Sequence, residues 1–373
     1  MMGGSLRPRR LLHPGAWWVW SIALAAAALR TTNPLLLGLV VVVVAFVVAS
    51  RRSDAPWARS FASFLRLGVI VIAIRVVFQI LFGNRIPGNT LFTIPELTLP
   101  DWAAGVSVGG PVTSEAIVGA VYQGLRLAVV LACFGAAASL CSPYRLLRAL
   151  PSALYEAGVA VTVALTFAPQ AVIAARQVRD ARRLRGRSER GIRAWAGSAM
   201  PVLEGALDRA VALAASMDSR GYGRHGDSPV SMRRAGSVLT LLGIVCISIG
   251  CYGILDPGAP ALLRIPALGL GAVSLVVALL LGGRSHHRSR YRPDPWASAE
   301  WIVALSGIAA FVGMVVAGRN GPGLDPSVYP LEIPTLPAAA LIGILVAALP
   351  AWAAPVPPSL ATVSVPTGLE VAA

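Results

Sequence analysis

The sequence predicts an all-α, polytopic membrane protein with about eight transmembrane helices and two long cytoplasmic helices between spans four and five. Three observations carry this expectation. Of 373 residues, 56% are hydrophobic and 13% charged, about half the charged share of an ordinary soluble domain. Apolar runs of about 15 to 20 residues recur, the length a helix needs to cross a hydrocarbon core of about 30 Å. The links between these runs alternate between basic and nearly uncharged, as the arginine enrichment of cytoplasmic loops requires.

Basic residues outnumber acidic ones 32 to 17, and all are arginine. In a soluble protein that surplus would raise nucleic-acid binding. Here it concentrates in the links, so topology accounts for it: the partner implied is the lipid bilayer and no nucleic acid is expected. The absence of lysine, with the richness in Ala, Gly and Val, points to a codon-biased genome, so arginine number alone carries no function. Cys133, Cys141, Cys246 and Cys251 lie in or beside apolar runs at spacings that fit neither a zinc site nor a redox pair. They read as buried small hydrophobes. His286 and His287 sit in the basic run RSHHRSRYR without further ligands spaced to help them, so no metal and no cofactor are expected. The basic start leads from one apolar run directly into another, so no cleavable signal peptide is expected.

Residues 1–151 form the N-terminal transmembrane region. Residues 16–29 and 34–49, joined by the short RTTN turn, make a helical hairpin. Arg7, Arg9 and Arg10 before it and Arg51, Arg52 and Arg59 after it place both its ends in the cytoplasm. The third span, 61–82, leads to an external loop, 83–110, rich in Pro and Gly. The fourth, 114–140, returns to the inner surface at Arg145 and Arg148. Residues 235–373 hold four more runs, 238–255, 262–281, 301–317 and 338–349, then a tail after Pro355 expected to be disordered. With the N-terminus inside, every basic link falls inside. The external segments LFTIPELTLP and VYPLEIPTLP share a likeness that either an internal repeat or chance in Pro- and Leu-rich loops would produce.

Between these regions, residues 152–234 carry Arg176, Arg179, Arg182, Arg183, Arg185 and more. Each arginine at mid-bilayer costs at least about 2.5 kcal/mol, so the arginine-rich part belongs at or beyond the membrane surface. One long helix runs from 152 into the arginine segment, partly embedded and partly cytoplasmic. After a break near 186–197 a second helix spans about 200–219. Its apolar stripe, Leu203, Leu207, Ala210, Ala214 and Met217, recurs at spacings of three and four. Both helices end alike, with Arg185-Gly186 and Arg220-Gly221. Glycine just past a helix closes the last turn in the left-handed conformation, and a cation there suits the negative end of the helix dipole. Each pair therefore presents a guanidinium at a defined tip; two ordinary helix stops would look the same, and the sharper reading is that the arginine fork suits a carboxylate in a docking groove of a partner.

Arg75 and Arg126 lie within spans three and four. They are expected to face the bundle interior and order the contact between the spans; bonds to backbone carbonyls and snorkelling are the alternatives.

The pattern Arg179-Asp180-Ala181-Arg182-Arg183-Leu184-Arg185-Gly186, followed by Ala215-Ser216-Met217-Asp218-Ser219-Arg220-Gly221, resembles the twin Ala-Arg-Gly-type motifs of the transmembrane T component of energy-coupling factor (ECF) transporters, the EcfT/CbiQ family. His13-Pro14, Asn33-Pro34-Leu35, Glu115 and Leu125-Arg126-Leu127 add to the likeness, which covers about residues 11–234. Leu184 and Ser219 hold the variable positions, and Ala181 lies further upstream than a strict Ala-Arg-Gly places it. The resemblance implies a scaffold that joins two ABC-type ATPase subunits to a membrane-embedded substrate-binding S component. By position, Arg185, Gly186, Arg220 and Gly221 would dock the two coupling helices on the ATPases, and the stripe from Leu203 to Met217 would be the seam between those helices. The cargo would be a vitamin or a transition-metal ion such as cobalt, chosen by the S component, and the setting a prokaryotic cell membrane.

No GxxxxGK[ST] run is present, so the chain is not expected to hydrolyse ATP. A secondary transporter, the alternative, would place acids or broken helices at mid-membrane, whereas the acids here lie mainly in loops or at span ends. No His, Asp or Cys set of the kind an enzyme needs is clustered.

Overall fold

A computed structural model describes residues 12–53, 56–82, 86–98, 107–149, 154–186, 192–222, 230–256, 258–284, 296–321 and 323–355. They fall into two compact units, Met1–Leu146 with Asp294–Ala373, and Leu147–Pro293. The C-terminal region, read as one block from 235, is thus shared between the two.

The first unit is built on α1 (Pro14–Leu29) and α2 (Pro34–Arg51). Both begin with proline, whose missing N–H is no loss at a helix start, and both are capped by the preceding side chain. His13 Nδ1 accepts from the Gly15 N–H at 3.1 Å, and Asn33 Oδ1 from the Leu35 N–H at 3.0 Å. A 3₁₀ turn (Pro56–Arg59) leads into α3 (Ser60–Phe82). After the antiparallel strands β1 (Thr90–Thr98) and β2 (Ser107–Thr113) comes α4 (Ser114–Leu140). The unit is completed by α10 (Ser298–Asn320), α11 (Ala338–Val346) and α12 (Pro350–Ala353). A short helix, α5 (Pro143–Ala149), crosses the boundary between the units.

Its core draws on six helices: Trp20 and Leu24 of α1, Leu36, Val40 and Val44 of α2, Val129 of α4, Met314 of α10, Ile344 of α11 and Ala351 of α12. The C-terminal helices therefore close the N-terminal bundle, with α10 packed on α1 and α11 on α2. Trp20 Nε1 donates to the Ala347 carbonyl at 3.0 Å, tying α1 to the end of α11. Near α4 and α3 the contact depends on missing side chains. A Cβ on Gly135 would lie 2.6 Å from Phe64 Cβ, and one on Gly124 would lie 3.0 Å from Ile72 Cα.

The second unit contains α6 (Tyr155–Leu184), α7 (Ile192–Ser219), α8 (Val230–Leu255) and α9 (Ile265–Arg284). α8 and α9 form a helical hairpin. Leu275 and Leu268 of α9 fill the gaps at Gly243 and Gly250 of α8.

Among the described residues, seven helices are long and apolar enough to cross a membrane, namely α2, α3 with its leading turn, α4, α6, α8, α9 with its leading turn, and α10. α1, and α11 together with α12, are shorter. This bears out an all-α polytopic membrane protein and refines the set of spans. The last expected span is interrupted because Pro350 brings no N–H to continue it. Its approach tightens into bonds such as Ala348 N–H to the Leu345 carbonyl at 3.0 Å. The loop expected at 83–110 contains a β-hairpin, in register from Thr90 opposite Thr113 to Thr98 opposite Ser107, with two shifts between. Pro95 and Pro111 are tolerated because a two-stranded sheet consists of edges. Glu115 fastens this hairpin to α4 by accepting from the Asn89 N–H at 2.9 Å. The segment related to it by likeness, 328–337, is turn and irregular structure, so the two share no local fold.

Candidate functional site

The two Arg-Gly ends have the predicted geometry. α6 runs unbroken to Leu184, through Pro169, and α7 to Ser219. α7 begins at Ile192, eight residues before the expected start. Gly186 and Gly221 have φ of +73° and +75°, a region that costs other L-residues about 1–2 kcal/mol. At the second tip, the Gly221 N–H donates to the Asp218 carbonyl at 2.9 Å and the Tyr222 N–H to the Met217 carbonyl at 3.1 Å. This pair of bonds is the Schellman closure. At the first, the Gly186 N–H donates to the Arg183 carbonyl at 3.0 Å. Arg185 and Arg220 are exposed just before each reversal. Leu184 is 90% exposed beside Arg185, so this tip offers an apolar group and a guanidinium together.

α6 and α7 pack on each other within the second unit. The half-buried face of α6 is Phe167, Ala171, Ala174, Val178 and Arg182, at helical spacing. On α7 the half-buried residues include Ser198, Val202, Gly205, Ala206 and Met217. Of the predicted seam, Leu203, Leu207, Ala210 and Ala214 are exposed and Met217 alone is half-buried. The face that α7 covers is thus largely the small-residue one, which lets helices approach closely, and the larger apolar stripe stays open. The Arg182 guanidinium lies over Gly197, filling the space a side chain would occupy there.

The links of the first unit are tied together at two places. At one, the α1–α2 turn is clasped to the loop between α10 and α11. Thr31 Oγ1 donates to the Leu324 carbonyl at 2.5 Å, Thr32 Oγ1 to Asp325 Oδ1 at 2.9 Å, and Asn33 Nδ2 to the Gly323 and Thr335 carbonyls at 3.1 and 2.7 Å. Beside this clasp a cavity of about 720 Å³ is lined in part by Asp325 and Glu332. At the other, the His13 N–H donates to Glu300 Oε1 at 3.3 Å, and the His13 ring meets Trp296 at 5.3 Å. There Arg51 Nε donates to the Ala351 carbonyl at 2.9 Å, and Arg145 Nη1 to the Leu12 carbonyl at 3.0 Å.

Arg75 and Arg126 are half-buried on α3 and α4. Arg75 Nη2 donates to Gln123 Oε1, across the two helices. The Arg126 guanidinium has no hydrogen bond or ion pair among the described residues. Gln123 was not singled out from the sequence; its place three residues before Arg126 was the available signal. Among the described residues no three His, Cys, Asp or Glu side chains are grouped as a metal site needs. His286 and His287 lie outside the described residues. Cys133 and Cys141 are buried, Cys246 is intermediate and Cys251 exposed.

These features define the class: a multi-pass helical membrane protein whose second unit carries a pair of arginine-tipped helices. The family model for CbiQ, cobalt transport protein, matches residues 6–230. The chain belongs to that family, and is thereby a membrane component of a transporter of the cobalt type. No curated protein matches it. The family match ends where α8 begins, so α8 to α12 lie beyond it.

Proposed function

We propose that this chain is the transmembrane scaffold of an ECF-type ABC importer, coupling ATP hydrolysis by two partner ATPase subunits to uptake through a membrane-embedded S component. The observation that carries this reading is the matched pair of tips: an exposed arginine followed by a glycine at φ of +73° or +75°, once on α6 and once on α7. A left-handed glycine stops the helix at a fixed residue, so the guanidinium is presented in a defined direction rather than on a fraying end. Two such tips suit two equivalent docking grooves bearing carboxylates, where the planar fork of arginine binds bidentately. The exposed Leu184 would enter the first groove beside the ion pair.

In this reading closure of the ATPases displaces the tips, and α6 and α7 carry the motion to the S component. The open stripe of Leu203, Leu207, Ala210 and Ala214 is then available to that partner or to lipid. Substrate choice, a transition-metal ion such as cobalt or a vitamin, rests with the S component, and the chain itself hydrolyses nothing. The ties within the first unit are consistent with the topology expected from the arginine bias. The two links assigned outside, after α1 and after α10, meet at Asn33, and the segments assigned inside meet at His13, Arg51 and Arg145. The arginine bias puts the latter side, and both tips, in the cytoplasm of a prokaryotic cell.

The test is charge reversal at both tips. Arg185→Glu with Arg220→Glu should abolish co-purification of the ATPases while membrane insertion is unchanged. Normal assembly and transport by this double variant would refute the docking role. Solute movement by the purified chain alone in liposomes would instead favour a secondary transporter.

A further inference from the structure

We infer that the α3–α4 face holds an intramembrane docking site for a partner transmembrane helix that carries a carboxylate near its middle. Three groups make the site. Arg75 of α3 is bonded to Gln123 of α4, and Arg126 stands three residues on from Gln123, on the same side of α4. The one neutral acceptor is thus taken by Arg75, and the Arg126 guanidinium has no hydrogen bond or ion pair among the described residues. In hydrocarbon an arginine calls for an anion or several acceptors.

Among the described residues the surrounding chain does not supply that anion. α3 and α4 together carry one acid, Glu115, which lies at the start of α4 and already accepts from the Asn89 N–H and the Ser114 hydroxyl. Nor does depth favour a phospholipid headgroup. α4 has 27 residues, and Arg126 sits about 18–21 Å along the axis from its two ends, at 1.5 Å per residue. Phosphates lie outside a core of about 30 Å, so Arg126 is close to the midplane and far from either surface. A second copy of this chain is no better: in the helices apolar enough to span, Glu115, Glu156 and Glu300 stand at the starts and Asp180 is near the end of α6, while Glu204 and Asp208 lie on α7, which is not one of them. A mid-membrane acid must come from a different protein.

The face around the site is made for a helix. Gly68 is the one fully buried residue of α3, and the side of the helix that includes Leu67, Ile70, Ile74 and Phe78 is exposed. Ile74, Phe78 and Leu127, all more than 40% exposed, form an apolar rim about the polar groups. An apolar rim around a desolvated ion pair is the arrangement in which the pair selects its partner, because an uncharged helix would leave the guanidinium unmatched. This inference rests on the scaffold reading in taking the partner to be a membrane protein of the same transporter, and it names the chemistry by which that partner is held.

The test uses the full transporter in native membranes, with a photo-crosslinking amino acid in place of Leu127. The expected result is a crosslink to another membrane protein, at a peptide containing Asp or Glu within an apolar span. Arg126→Gln should reduce it roughly tenfold, as loss of one interhelical contact in hydrocarbon implies, and Arg126→Lys should retain most of it. Arg126→Glu should be rescued by exchanging the partner's acid for Arg. Crosslinks to lipid alone, or a protein crosslink indifferent to Arg126→Gln, would overturn the inference. ATPase co-purification from the same membranes reports separately on the scaffold reading.

Discussion

Asn33 and Thr335, 302 residues apart in sequence, are joined by a 2.7 Å hydrogen bond from the Asn33 amide to the Thr335 carbonyl. The same side chain caps α2 through its oxygen and reaches the Gly323 carbonyl with its nitrogen. One fully buried amide therefore fixes a helix start and two loop carbonyls.

Replacing it should be costly in a way that distinguishes its two ends. Asn33→Ala removes the cap and the amide donor to the half-buried Gly323 and exposed Thr335 carbonyls, together about 1–3 kcal/mol. Asn33→Asp keeps the capping oxygen but sets a second acceptor against the carbonyls, so it should be no better. Thermal unfolding in detergent measures both. A nearly normal Tm for Asn33→Asp would show that the cap matters and the clasp does not.

At the helix tips, Gly186→Ala and Gly221→Ala should each destabilise the final turn by about 1–2 kcal/mol, the penalty for a Cβ in the left-handed region. Asn should cost less because it tolerates that conformation. Hydrogen exchange at the Gly221 and Tyr222 amides, which close the turn on Asp218 and Met217, should speed up with Ala more than with Asn. Equal protection in both variants would mean the turn does not depend on glycine.

Three other glycines separate rigid neighbours from yielding ones. Gly135→Ala meets Phe64 Cβ and Gly124→Ala meets the Ile72 backbone, neither of which can move alone. Each should cost about 1–3 kcal/mol by overpacking. Gly197→Ala meets only the end of the Arg182 side chain, which can swing aside, so its effect should be small. Melting temperatures of the three variants give the order, and a large loss at Gly197 would show that Arg182 is held in place.

Cys141, just past the end of α4, has its thiol pushed up to about 11 by burial, against the pull of the Arg145 guanidinium. A raised thiol value means that the stability tied to the neutral form is complete below the ordinary thiol range and is lost as pH rises through about 11. At pH 8 about one such thiol in a thousand is ionised. Maleimide should therefore modify Cys141 slowly in the folded protein, and unfolding should speed its labelling. Rapid labelling of Cys141 in the folded protein would contradict its burial.

Much of this architecture was legible because hydrocarbon imposes a length and the arginine bias imposes alternation. α2, α3, α4, α8, α9 and α10 lie where apolar runs were read, and the two Arg-Gly ends close as their residues required. The β-hairpin was missed because Pro95, Pro111 and adjacent glycines read as loop, although the β-prone run Phe92, Thr93 and Ile94 was a weak strand signal. On α7, periodicity marked Leu203 and Leu207 as apolar but could not say what covers them: in a membrane protein a stripe can face lipid or a partner as well as a neighbouring helix. Ser198, Gly205 and Ala206, the smaller half-buried residues, carry almost no hydrophobic signal. The packing of α10 on α1 left no trace either, since one apolar surface looks like another until small residues such as Gly307, packed against Trp20, show where backbones touch.

The clasp between Thr31, Asn33 and the 323–335 loop also sets an order on biosynthesis. The first hairpin enters the membrane early, yet the carbonyls that satisfy its turn emerge from the ribosome some 290 residues later, roughly 15–60 s at typical elongation rates. During that interval Asn33 has half its hydrogen bonds to make with water or the insertion machinery. A nascent chain released before α10 would hold every residue of the family match and still have an open bundle for quality-control proteases to find.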